Sequence, residues 1–252
     1  MVDMEEKGFT LIELLVAMAA AGIVMAAIVS AYQVQVRAKN IQEVLTDMNQ
    51  NARAALEVMT HEIRMAGCDP EGSSDAGIIT ADPGELIFSH DVDDDGGNNR
   101  SDGDICDDDE VIRYCLTNDG DSPADGLNDN IAAGVECHLG RETGSPNAPP
   151  GSSCSGGTLS GLEPLARNVD ALNFVYLDGD GNSVSAGDED EIRRIEVTLV
   201  ARAGEEVGGF LSSYTNTNAY ENQQGDVILS AQNDSFRRLR LTTTINCRNM
   251  GR

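Results

Sequence analysis

The order of apolar and polar residues along the chain divides it into three stretches. The first has almost no polar positions. From Phe9 to Tyr32 it reads FTLIELLVAMAAAGIVMAAIVSAY, with Glu13 as its one charge. A helix of about 20 apolar residues crosses the hydrocarbon core of a bilayer, so this run is long enough to span a membrane. A secretory signal peptide has a shorter apolar region, about 7–15 residues, ending at a small-residue cleavage site. Here the following residues, Gln33-Val34-Gln35-Val36-Arg37, include no turn former and can continue a helix. In the second stretch apolar residues recur at Ile41, Leu45, Met48, Ala52, Ala55, Met59, Ile63 and Ala66, in steps of three and four. That is one stripe on a helix. No Gly or Pro occurs between Gly22 and Gly67, where Gly67 can end the helix and Asp69-Pro70 stops it. The spacing predicts one continuous helix over Phe9–Ala66, roughly 85 Å long.

The third stretch, beyond Gly67, consists of short apolar runs between Gly, Asp, Asn and Ser. Strands are predicted at Gly77–Thr80, Glu85–His90, Glu110–Leu116, Val135–Leu139, Val169–Leu177, Ile192–Arg202 and Arg238–Cys247. The last two alternate. Ile195, Val197, Leu199 and Ala201 oppose Arg194, Glu196, Thr198 and Arg202, with Val200 the exception; Leu239, Leu241, Thr243, Ile245 and Cys247 oppose Arg238, Arg240, Thr242 and Asn246. This is the period of half-buried antiparallel strands. A helix followed by a run of strands predicts an α+β fold: a long N-terminal helix, membrane-spanning in its first half, packed on an antiparallel sheet. The Gly-, Pro- and Ser-rich stretch from Gly140 to Gly157 reads as an insertion. His61 reads as a helix-surface histidine.

Charge narrows the range of partners. Of 252 residues, 43 are acidic and 17 basic, a formal net charge of -26. Such a chain is repelled by nucleic acid and by anionic lipid head groups. Between Asp91 and Asp129 lie fourteen acids and two bases. The six cysteines, Cys68, Cys106, Cys115, Cys137, Cys154 and Cys247, contain no C-x-x-C pair. That disfavours a zinc ribbon or a thioredoxin-like site. Their even count and wide spacing in a loop-rich chain predict disulfides formed in an oxidising compartment. Pairing is left open, with Cys115 and Cys137, on neighbouring predicted strands, as the one suggested pair.

Two acidic segments have the spacing of calcium loops. Asp91, Asp93 and Asp95 alternate before Gly96, with Asp102 at the twelfth position; Asp178, Asp180 and Asn182 alternate, with Glu189 at the twelfth. Each lacks one feature of an EF-hand loop: the first has Asp where Glu is expected, and the second has Ser183 in place of the turn glycine. Two readings stay open, acidic turns joining strands or loops that hold a structural Ca2+. For catalysis the sequence offers nothing. It contains no G-x-S-x-G elbow, H-E-x-x-H or phosphate-binding glycine loop, and His61, His90 and His138 are far apart. The chain is not expected to be an enzyme.

Glu13 is the anomaly in the apolar run. An ionised carboxylate at mid-bilayer costs about 2.5–3.5 kcal/mol on insertion scales and generally has a partner. The residues around it, Lys7-Gly8-Phe9-Thr10-Leu11-Ile12-Glu13, resemble the processing signal of type IV pilins and type II secretion pseudopilins. The resemblance implies cleavage by prepilin peptidase after Gly8 and N-methylation of Phe9. It also implies pairing of Glu13 with the N-terminal ammonium of a neighbouring subunit. Ile63–Gly67, Pro164–Leu172, Ile192–Ile195 and Arg237–Ile245 further resemble the PilW and GspJ group of minor pilins.

The resulting layout is a leader at 1–8, a transmembrane and filament-core helix at 9–32, its amphipathic continuation at 33–67 and a disulfide-linked extracytoplasmic head at 68–252. The leader is acidic apart from Lys7, and Arg37 and Lys39 lie on the opposite flank. The distribution of positive charge therefore does not indicate the orientation; the motif and the cysteines do. What is expected is a minor pilin that initiates or enters a type IV pilus. It would cross the inner membrane once with a periplasmic head, and its partners would be other pilins. A pseudopilin in a periplasmic type II secretion filament is the alternative. A membrane-anchored calcium-binding or adhesive protein is a third.

Overall fold

The computed structural model describes residues 9–72, 74–92, 109–120, 124–131, 135–144, 160–185, 187–204 and 214–251, together with Gly103 and Ile105. The chain divides into two compact units, Met1–Val44 and Leu45–Arg252. Helix α1, Leu11–Ile63, runs through that division.

In the first unit α1 is apolar and bare. By length and composition it can cross a membrane, and none of its apolar window is buried. Leu11 is 78% exposed, Ile23 73% and Met18 65%. Its first polar contact after the apolar run is the Lys39–Glu43 ion pair at 3.3 Å.

The second unit starts inside the helix. Here the predicted stripe turns inward: Met48, Ala52, Ala55, Met59, Ile63 and Ala66 are all buried. Side chains three and four apart share one helical face, so a single edge of α1 enters the core. His61 is exposed, as its position off the stripe requires. The helix ends through Gly67 at φ +71°, the left-handed conformation that glycine adopts without Cβ strain.

Two antiparallel sheets complete the core. The larger has the order β1-β2-β3-β4-β5, formed by β1 (Ile78–Ala81), β2 (Leu86–Ser89), β3 (Val111–Leu116), β4 (His138–Gly144) and β5 (Ser160–Arg167). The second has the order β10-β7-β6, formed by β6 (Val169–Leu177), β7 (Arg194–Arg202) and β10 (Arg238–Asn246). Leu86, Phe88 and Leu139 from one sheet and Ile195, Leu199 and Ile245 from the other are buried, each stabilising the fold by roughly 1.5–3 kcal/mol. The turn after β1 is tied to β6 by the Phe174 N–H donating to Pro83 O at 2.8 Å and the Tyr176 hydroxyl donating to Asp82 O at 2.8 Å.

Some boundaries differ from expectation. The fourth strand starts three residues later than predicted and takes in Gly140–Gly144, the start of the stretch read as an insertion. Strand β5 and the short pair β8 (Tyr220–Glu221) and β9 (Val227–Leu229) were not predicted. The β8–β9 pair explains why Val200 breaks the alternation of β7. Val200, Ala171 and Leu229 form a second small core, with Leu127, Ile131, Tyr220 and Ile228 packed on it.

Candidate functional site

The residues proposed for processing and assembly lie at the start of α1. Gly8 is outside the described residues. Phe9 is 89% exposed. Thr10 precedes the first helical residue, and its backbone N–H and hydroxyl both donate to Glu13 Oε2, at 3.4 and 3.3 Å. In return the Glu13 N–H donates to Thr10 Oγ1 at 3.4 Å. This is a capping box: two groups left over at the helix N-terminus satisfy one another through a Thr-x-x-Glu spacing. The Thr-x-x-Glu spacing is already present in the sequence at Thr10 and Glu13. A carboxylate in the first turn also faces the positive end of the helix dipole.

The second calcium-like segment is a closed turn between β6 and β7. Asp178 Oδ1 accepts the N–H groups of Asp180 and Asn182, each at 2.8 Å, and Oδ2 accepts Asn182 Nδ2 at 2.9 Å. The Asn182 side chain and backbone bonds hold the Asp178 carboxyl below its ordinary pKa. Glu189 Oε1 instead accepts the Gly187 N–H at 2.9 Å. Asp178 and Glu189 thus bond to their own turns. Among the described residues no group of three or more His, Cys, Asp or Glu could hold a metal ion. Of the first segment, Asp91 is buried and its N–H donates to Cys68 O at 2.7 Å. Asp93, Asp95 and Asp102 lie outside the described residues.

The suggested Cys115–Cys137 bridge is corrected. Both thiols are free. The β3–β4 register pairs Cys115 with Gly140, three residues from Cys137, so strand adjacency did not make the two cysteines neighbours. Burial pushes the Cys115 thiol up to about 11, and the Cys247 thiol, also free, up to about 12. Cys106 and Cys154 lie outside the described residues. Cys68 follows the last turn of α1, its N–H donating to Met65 O at 2.8 Å.

Two charge clusters escaped the sequence reading. In the first, the last turn of α1 is bound to the larger sheet. Arg141 Nε reaches both oxygens of Glu62, at 3.1 and 3.0 Å, and the Tyr114 hydroxyl donates to Glu62 Oε2. Burial and the neighbouring Glu62 charge raise the Tyr114 pKa, so the phenol remains a donor. In the second, Asp170 is fully buried, 2.6 Å from Arg238 and 3.6 Å from Arg202. Arg238 also binds Asp234 through two bonds, at 2.7 and 2.6 Å, and Arg202 lies over the Phe236 ring at 4.6 Å. Arg202 and Arg238 were read as solvent-facing; they are instead buried, because Asp170 supplies a counter-charge across the sheet.

The profile of the prokaryotic N-terminal methylation motif matches residues 3–29. No curated protein sequence matches the chain. Among solved structures it is similar to the type IV-like pilin TTHA1219 from Thermus thermophilus, with a TM-score of 0.43 and 15% identity, over 81% of this chain and 98% of that one. The methylation motif covers the start of the long apolar helix, which leads into antiparallel sheets.

Proposed function

We propose that this chain is a minor pilin, a non-enzymatic subunit of a type IV pilus that acts in filament assembly or initiation. On this reading it is cut after Gly8, methylated on Phe9 and held in the inner membrane by the first half of α1. Its second unit is a periplasmic head. The observation that carries the reading is the bare apolar first half of α1, whose one carboxylate, Glu13, lies five residues into the processed chain and inside the matched motif.

The physical logic follows from that placement. Extracting an apolar helix from lipid is unfavourable unless other helices cover it. In a filament core the Phe9 ammonium of one subunit and Glu13 of the next attract strongly, because the surrounding dielectric is low. Until then the capping box gives the carboxylate two donors within its own chain. A pseudopilin of a type II secretion filament would use the same chemistry, and the identity of the co-assembling subunits decides between the two.

The test is incorporation into sheared filaments. The wild-type chain should be recovered with them, and the Glu13→Ala variant should remain in the membrane fraction at normal abundance. Equal incorporation of the variant, or no incorporation of the wild type, would refute the proposal.

A further inference from the structure

The segment after β10, residues 247–251, folds back on the end of α1. The Cys247 N–H donates to Arg193 O at 3.0 Å, and Asn249 Nδ2 donates to Arg64 O at 3.4 Å. Met250 occupies space that two glycines leave open. Its Sδ lies 2.8 Å from where a Cβ on Gly67 would stand and 3.9 Å from one on Gly77. Gly67 closes α1, and Gly77 immediately precedes β1. One thioether therefore joins the end of the helix to the start of the larger sheet.

Methionine is the side chain in this contact that a mild oxidant changes most. Peroxide transfers one oxygen atom to the thioether, giving a sulfoxide and water, with no proton or electron left over. The product is polar, and its oxygen needs room beside a sulfur already packed on backbone. Met250 is 9% exposed, so one side of it meets solvent. We propose that residues 247–251 are an oxidation-sensitive strap, which holds the end of α1 to β1 and is released when Met250 becomes a sulfoxide. Release uncovers Cys247, a residue only 3% exposed in the closed strap. While closed, burial keeps that thiol protonated, with its pKa at about 12, and slow to react.

The full chain in detergent micelles provides the test. Met250→Gln places a polar group of similar length in the contact without any oxidant, whereas Met250→Leu keeps it apolar and cannot be oxidised. With N-ethylmaleimide as probe and peptide mass spectrometry as readout, Cys247 should label several-fold faster in M250Q than in wild type, with M250L and the buried Cys115 unchanged. Peroxide should speed hydrogen exchange across 246–251 in wild type and leave M250L unaffected. Equal labelling of Cys247 in M250Q and wild type would overturn the strap. So would an equal response of M250L to peroxide, or failure of Met250 to oxidise in the folded chain. Should M250Q not fold, the peroxide comparison decides alone.

Discussion

Asp170 is enclosed by protein, and its carboxylate is tolerable there only because two arginines share it. Removing one member of such a cluster leaves a buried charge without compensation, which costs about 3–5 kcal/mol. Asp170→Ala should lose stability of that order in urea denaturation, while Glu196→Ala, at a half-buried position on β7, should lose far less. Equal losses would contradict the account. Asp234 adds a pH dependence to the cluster. Burial alone would raise its pKa, but hydrogen bonds from Arg238 and its charge outweigh that and lower it below 3.8. A carboxylate depressed in the folded state contributes fully above its unfolded pKa and loses the contribution as pH falls through the folded one. Acid unfolding below about pH 4 should therefore be less steep in Asp234→Asn than in wild type. At the other end of the chain, Thr10→Val removes a cap, and N-cap replacements cost about 1 kcal/mol. The first helical turn should fray in NMR spectra of micelle-bound chain, with the head unchanged.

The elements that could be read from sequence were those with one clear face. Helix α1 was legible because its stripe runs unbroken from Met48 to Ala66, and all six stripe residues in that span are buried. Strand β10 was legible because Arg240, Thr242, Thr244 and Asn246 face solvent opposite an inward series. Strand β7 was legible in extent but not in burial. Thr198, Val200 and Arg202 are buried on its second face; Val200 packs with Leu229 of the short β8–β9 pair, which the sequence scarcely marks, and Arg202 lies over the Phe236 ring. Strand β5 carries Gly161 and Pro164 and lies at the edge of its sheet, where proline is tolerated and apolar alternation is not demanded. The processing motif was legible because it is local. The Glu62–Arg141 and Asp170–Arg238 clusters join residues 79 and 68 positions apart, so no local pattern announces them. The helix end gives a prediction at this scale. Gly67→Ala forces a side chain into the left-handed region, at about 1–2 kcal/mol, and drives its Cβ onto Met250 Sδ. It should lower the thermal midpoint, whereas Gly22→Ala, with nothing within 4 Å of its added Cβ, should not.

Taken whole, the molecule divides its tasks between two units with opposite surfaces. The first presents bare apolar side chains on a helix long and apolar enough to cross a membrane. The second closes its own core and carries most of the chain's 43 acidic residues. The chain's net charge of -26 opposes close approach of like copies in water. On the proposed function the leader is removed, and the free ammonium this leaves at Phe9 is what Glu13 of a neighbour would bind. Intact-mass and N-terminal fragment spectra of the chain purified from membranes measure this directly. The proposed minor pilin should start at an N-methylated Phe9. A chain that still starts at Met1, or one cut beyond Tyr32, would contradict that proposal.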